Sequence, residues 1–181
     1  MRQTAIGLTL ALTASAAAAQ APDLSGKWAV AAPERAAGVA MGSAPPTLSE
    51  QGSMGSGWAP EITLTQTATA LTVECAYVHP RDAQPPFRLS YSLSGALSRN
   101  TVNLGRGPQL QVSRAAWQAE SLVITTTHAF VNPQDGRTMT SETRQVLSLE
   151  APDTLVIETF RSGVLGGKSS TTRTTYKKRG P

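Results

Sequence analysis

The sequence predicts an all-β protein, an antiparallel up-and-down (meander) β-barrel of about 8–10 strands. Three observations predict it. Threonine is abundant, at 22 of 181 residues, and β-branched residues favour strands over helices. Most of that threonine lies in short runs of period two bounded by turn residues. The connections between runs are short, which forces antiparallel neighbours, because a parallel pair needs a crossover of about a dozen residues or more.

The first 19 residues are expected to lie outside the fold. Arg2 supplies a positive start, Ile6 to Leu12 a short apolar run, and Ala14 to Ala19 small residues. Ala17 and Ala19 fit the A-x-A pattern of a secretory signal peptide, so cleavage is expected near Ala19, before Gln20. That places residues 20–181 in the periplasm or outside the cell as a single barrel domain. The apolar run is too short for a permanent membrane helix, and no later segment is longer. The single cysteine, Cys75, lies far from the cleavage site, which argues against a lipid anchor. One thiol also rules out an internal disulfide and any Cys-rich zinc site. Cys75 is expected to be buried and inert.

Residues 31–60 are rich in Gly, Ala, Pro and Ser and show no sustained period, which predicts a long loop with a short helical turn near Pro33 to Ala40. Met41, Met54 and Trp58 suit either a flap folded over an opening or a loose insertion.

The strands follow in order. Ile62 and Leu64 alternate with threonine. Leu71, Val73, Cys75 and Tyr77 alternate with Thr72, Glu74 and Ala76, and Phe87, Leu89, Tyr91 and Leu93 with Arg88, Ser90 and Ser92. Leu97 to Leu104 is weaker and ends at the Gly105–Pro108 break. Leu110 to Trp117, Leu122 to Phe130, Thr138 to Leu149, Leu155 to Arg161 and Ser169 to Lys178 complete the set. Similar segments at Ala70–Glu74, Ser121–Thr125 and Thr154–Glu158 each open the second strand of a hairpin. Their unequal spacing argues against a solenoid.

About a quarter of residues 20–181 are Val, Ile, Leu, Met, Phe, Trp or Tyr. That lines one face of a sheet, and closing the sheet removes its edges. A two-sheet sandwich is the runner-up. An outer-membrane barrel is not expected, because the strands are mostly short and their second face carries Thr, Ser, Arg and Glu. Residues 161–181 hold six basic residues and no acid. They read as a solvated last strand and tail rather than a nucleic-acid or membrane surface.

The segment Asp23-Leu24-Ser25-Gly26-Lys27-Trp28 carries a Gly-x-Trp near the first strand, and Leu155-Val156-Ile157-Glu158-Thr159 follows in a Thr-rich hairpin. Together they resemble the lipocalin-like, calycin-type exported bacterial β-barrels. The resemblance covers residues 23–30 and about 60–178. Gly26 would let the first strand bend or approach a neighbour closely, and Trp28 would close the barrel base. The resemblance also implies a cation from the last strand across Trp28, with Arg173 the first candidate and Lys177 the second. That contact requires the first and last strands to be neighbours.

No catalytic motif is present. His79 and His128 are the only histidines. Glu74, Cys75, His79 and Asp82 lack the ligand set for a metal site, so no metal or cofactor is expected. His128, several serines and Asp135 have no nucleophile elbow to support them. His128 shares its strand phase with Leu122, Ile124 and Phe130, which suits a core residue or a polar group facing a cavity. Tyr77, Tyr91, Trp117 and Phe160 carry the same two readings.

The expected function is to hold a small, mostly apolar molecule in the barrel interior, with Tyr77, Tyr91, Arg114, Trp117, His128 and Phe130 as cavity candidates. The alternative is a filled barrel acting as a structural or interaction module through its loops and basic last strand. An enzyme is the third reading. No nucleic acid and no integral membrane insertion are expected, and no oligomeric state is specified.

Overall fold

A computed structural model describes residues 21–31, 57–76, 87–103, 108–131, 135–163 and 168–180. The predicted signal peptide and most of the 31–60 loop therefore lie outside the described residues. The strands are β1 (Gly26–Val30), β2 (Glu61–Gln66), β3 (Ala70–Ala76), β4 (Phe87–Ser92) and β5 (Ser94–Asn103), followed by β6 (Pro108–Gln118), β7 (Ser121–Val131), β8 (Thr138–Ala151), β9 (Thr154–Arg161) and β10 (Ser170–Lys178). They form one antiparallel sheet in the order β4-β3-β2-β1-β10-β9-β8-β7-β6-β5. A single continuous sheet excludes the two-sheet sandwich. The predicted meander is what forms, and it curls into a nearly closed barrel.

The first and last strands do meet. Trp28, Ala29 and Val30 stand opposite Lys178, Lys177 and Tyr176. The ends of the sheet are instead β4 and β5, which follow one another in the chain. Only Leu93 separates them, too little for the two-residue turn of an ordinary hairpin. Leu93 donates its backbone N–H to Thr69 at 2.9 Å, Gly95 adopts φ +80°, and the β5–β6 register shifts between Ser94 and Leu97. Side chains bridge the seam. Ser90 donates its backbone N–H to Asn100 Oδ1 at 2.8 Å, and Asn100 Nδ2 donates to Ser90 O at 3.1 Å. Ser98 Oγ accepts from the Ser92 N–H at 2.8 Å.

Period two sorts the side chains. One end of the interior is packed with Leu24, Trp28, Leu64, Leu71, Leu122, Leu147, Leu155, Ile157 and Tyr176, all essentially without solvent exposure. Each such side chain contributes about 1.5–3 kcal/mol through apolar burial. Trp28 donates its indole N–H to Leu24 O at 3.0 Å, which satisfies the one polar atom of the ring.

The cation over Trp28 is Lys178, with Nζ 5.4 Å from the ring centroid. This corrects the expectation of Arg173 or Lys177. Strand parity is the reason. Lys178 stands opposite Trp28 on the same face, whereas positions 173 and 177 lie on the other face. Arg173 forms ion pairs outside with Glu150 and Glu158, and Lys177 reaches Thr154 Oγ1 at 2.6 Å and Asp153 at 3.7 Å. Gly26 makes room for this arrangement. Its φ is +147°, and a Cβ there would lie 2.7 Å from Lys178 Cε.

Candidate functional site

The other end of the interior holds a cavity of about 350 Å³. Residues 57–60 help to shape it. Trp58 and Ala59 are buried. Tyr176 donates its hydroxyl hydrogen to Ala59 O at 3.1 Å, and the Val30 N–H reaches Pro60 O at 2.8 Å. The end of the predicted loop is thus bound against the barrel wall. Residues 32–56, on which the flap expectation rests, lie outside the described residues.

The cavity has two unlike walls. Trp58, with Phe87, Leu89 and Tyr91 on β4 and Val102 on β5, makes an apolar, aromatic wall. The Trp58 and Tyr91 rings are 6.5 Å apart at 36°, and a side-chain hydrogen bond joins them. Burial pushes the Tyr91 phenol far above its ordinary value, so it stays protonated. The second wall is polar. It carries Gln111 on β6, Thr126 and His128 on β7, Thr143 and Gln145 on β8 and Arg161 on β9. In the strand order β9 lies five places from β4, so Arg161 comes from the side of the barrel across from the aromatic strand. Ser113 and Thr126 share a buried 2.8 Å hydroxyl–hydroxyl hydrogen bond beneath this wall.

Arg161 is oriented rather than loose. Its Nη1 donates to Thr172 Oγ1 at 3.4 Å. Its Nη2 approaches Gly57. A Cβ built on Gly57 would lie 3.2 Å from Arg161 Nη2 and 3.8 Å from Gln145 Nε2. Two nitrogen donors therefore converge on one spot beside the Gly57 backbone, whose φ of +83° suits glycine. Burial lowers the Arg161 pKa from its ordinary value, although a guanidinium stays charged at neutral pH. Burial, and then the charge of Arg161, hold the His128 imidazole below its ordinary 6.5.

The sequence candidates divide. Tyr91 and His128 line the cavity. Arg114 does not. It is exposed on the outer face, where Nη1 donates to Gly95 O at 2.9 Å. Ser113 and Ala115 take the inward positions beside it. Trp117 faces inward but packs against the apolar cluster at the other end. Tyr77 and the side chain of Phe130 lie outside the described residues. Phe160 is exposed, and its neighbour Arg161 takes the inward place.

Arg161, Gln145, Gln111, Thr126 and Thr143 were missed as site residues. Parity could have found them, since Arg161 shares its phase with Leu155 and Ile157, and Gln145 with Leu147. Parity also separates Glu74 from Cys75. Glu74 pairs outside with Arg88 at 3.6 Å, while Cys75 is buried within. Their sequence companions His79 and Asp82 lie outside the described residues. Asp135 is exposed in a turn beside Arg137. No group of His, Cys, Asp and Glu among the described residues is arranged to hold a metal.

Comparisons with known proteins found no matching family model, no matching curated protein and no matching solved structure.

Proposed function

We propose that this chain is an exported, lipocalin-like carrier of a small molecule with a large apolar part, held in the barrel interior. The 350 Å³ cavity beside an aromatic wall carries this reading. Small-molecule sites usually occupy about 300–1,000 Å³, with apolar walls and a few convergent polar groups. Burial of the ligand against Trp58, Phe87 and Tyr91 would drive binding. The Gly-x-Trp segment supports the family part of the reading. The predicted signal peptide supports a periplasmic or secreted location. Ion pairs such as Arg173–Glu158 and Arg179–Glu61 on the outer face suit a barrel that meets water.

The filled-barrel alternative has one observation in its favour, the solid packing around Trp28 and Tyr176. That packing accounts for one end of the interior and leaves the cavity at the other.

The test is a native mass-spectrometry and thermal-shift screen of the exported protein against lipids and aromatic metabolites. A bound species with one-to-one stoichiometry and a raised melting temperature is expected. Silence across the whole screen would favour the filled barrel.

A further inference from the structure

Charge is unevenly matched over the outside of the barrel. Arg88 on β4 faces Glu74, Arg173 and Lys177 on β10 face Glu150, Glu158 and Asp153, and Arg179 faces Glu61. Lys27 on β1 shares a groove with Glu61 and Glu74. Arg99 on β5, Arg114 on β6 and Arg144 on β8 have no carboxylate partner among the described residues. Arg114 is anchored on the carbonyl of Gly95, which does not neutralise it.

Register places these arginines together. Leu97 stands opposite Arg114, Arg114 opposite Thr125, Thr125 opposite Arg144, and Arg144 opposite Phe160. Parity turns this row outward. Beside it runs a second row, Arg99, Val112, Thr127 and Glu142, so three arginines meet one carboxylate. The exposed large hydrophobics among the described residues are Leu97, Leu110, Val131 and Phe160, and all four lie on β5 to β9. Scattered surface apolar residues are ordinary. Their confinement to the side that holds the unmatched arginines marks an interaction surface.

We propose that this face docks on an anionic lipid bilayer, with β7 as the keel. Thr125, Thr127 and Val131 on β7 carry no charge and enter the interfacial layer with Leu110. Arg114 and Arg144 flank the keel and meet headgroup phosphates, with Arg99 beside them. Leu97 and Phe160 lie at the margins of the contact. The proposal is independent of what the cavity holds.

Three features select a bilayer. Arg114 and Arg144 are two strands apart, about 10 Å between backbones, so they suit a surface of many phosphates rather than one small anion. Guanidinium forks match phosphate oxygens, and apolar side chains between basic ones suit the membrane interface. Strands β6 to β8 are paired on both sides, which leaves no edge for a peptide strand. A second copy of the chain would bring its own unmatched arginines against these.

The experiment measures binding of the exported protein to two kinds of vesicle. One is pure phosphatidylcholine, and the other is equal parts phosphatidylcholine and phosphatidylglycerol. Binding is expected on the anionic vesicles alone. Raising salt from about 0.1 M to 1 M should release most of it, as the screening length falls from about 10 Å to 3 Å. Arg114→Gln combined with Arg144→Gln is expected to weaken binding at least about tenfold. Leu110→Ser combined with Val131→Ser should weaken it at least about fivefold and leave the salt dependence intact. Arg88→Gln combined with Arg179→Gln, on the opposite side, should leave binding within about twofold, because these cations are already paired.

Near-UV circular dichroism checks that each variant is folded. A second measurement leaves every charge in place. Because Cys75 is buried, a polarity-sensitive fluorophore can be attached at Thr127→Cys on β7 or at Thr65→Cys on β2. Anionic vesicles should shift its emission to the blue at position 127 and not at 65. Equal responses at the two positions would overturn the proposal, as would equal binding to both vesicle types or to neither. Equal losses in the two double arginine variants would reduce the effect to net charge and overturn it too. Binding to polyglutamate without binding to vesicles would assign the face to an acidic protein partner instead.

Discussion

The side chain of Asn100 stands in for a peptide group opposite Ser90. Its Oδ1 accepts the Ser90 N–H at 2.8 Å, and its Nδ2 donates to Ser90 O at 3.1 Å. This reciprocal pair bridges β4 and β5, the two strands at which the sheet would otherwise end. Both Ser90 backbone groups are satisfied by one buried amide, as buried polar groups require.

Replacing Asn100 with leucine leaves those two groups without that partner. Asn100→Leu is expected to lower stability by about 1–3 kcal/mol in urea denaturation, and to speed hydrogen exchange at the Ser90 amide. Asn100→Asp keeps the acceptor but loses the donor, so its loss should be similar or greater as a charge is buried. An unchanged midpoint for both would remove Asn100 as the closing element.

The cation over Trp28 can be distinguished from its neighbours on β10. Lys178→Met should cost about 0.5–1 kcal/mol, the scale of a cation–π contact at an exposed site. Arg173→Met and Lys177→Met lose exposed ion pairs, which are typically worth no more than about 1 kcal/mol. In a Trp28→Phe background the effect of Lys178→Met should shrink, since indole is the better partner, while the other two should be unchanged. A double-mutant cycle with no coupling between positions 28 and 178 would refute the contact.

Cys75 is buried and free, and desolvation pushes its thiol up to about 11. Reaction needs the thiolate. The native protein is therefore expected to resist a disulfide reagent at pH 8 for hours, and to react within seconds in denaturant. Rapid labelling of the folded protein would show that the barrel opens there.

His128 predicts a pH dependence. Its folded pKa lies below the ordinary 6.5, through burial first and the charge of Arg161 second. The unfolded chain therefore binds the proton more readily. Stability is at its full value above about pH 6.5 and falls as pH drops from there through the lower folded pKa. His128→Gln should flatten that slope, measured as urea midpoints between pH 7.5 and pH 5. An identical slope in the variant would assign it to other groups. The groups facing His128 across its wall are Gln111, Thr126, Thr143 and Arg161, so Arg161 is the charged neighbour in the cavity lining.

Much of the fold was legible in the chain itself. Alternation at Ile62–Leu64, Leu71–Cys75 and Leu122–Ile124 marked which faces turn inward, because a strand repeats every two residues. Short turns between those runs allowed only antiparallel neighbours. The meeting of β1 with β10 was expected from Gly26-Lys27-Trp28, and it is present. Identity at the site was harder to read. By residue type Arg114 suits a cavity, but its phase between the inward Ser113 and Ala115 turns it outward. By composition Arg161 belongs to the basic end of the chain, but its phase with Leu155 and Ile157 turns it inward. Strand parity, and not residue type, decides which side chain reaches the interior.

What local sequence determined is the strand set, its direction and the greasy inner face, since these depend on neighbours within a few residues. The tertiary structure decided the rest. Whether Lys178 or Lys177 reaches Trp28 depends on register across two distant strands. Whether Asn100 can replace a missing ladder depends on how far the sheet has curled. The β8–β9 register, with Thr143 opposite Arg161 and Gln145 opposite Thr159, brings Arg161 beside Gln145, but Gly57 reaches them from a segment about a hundred residues away, and only the packing of residues 57–60 against the barrel places it there.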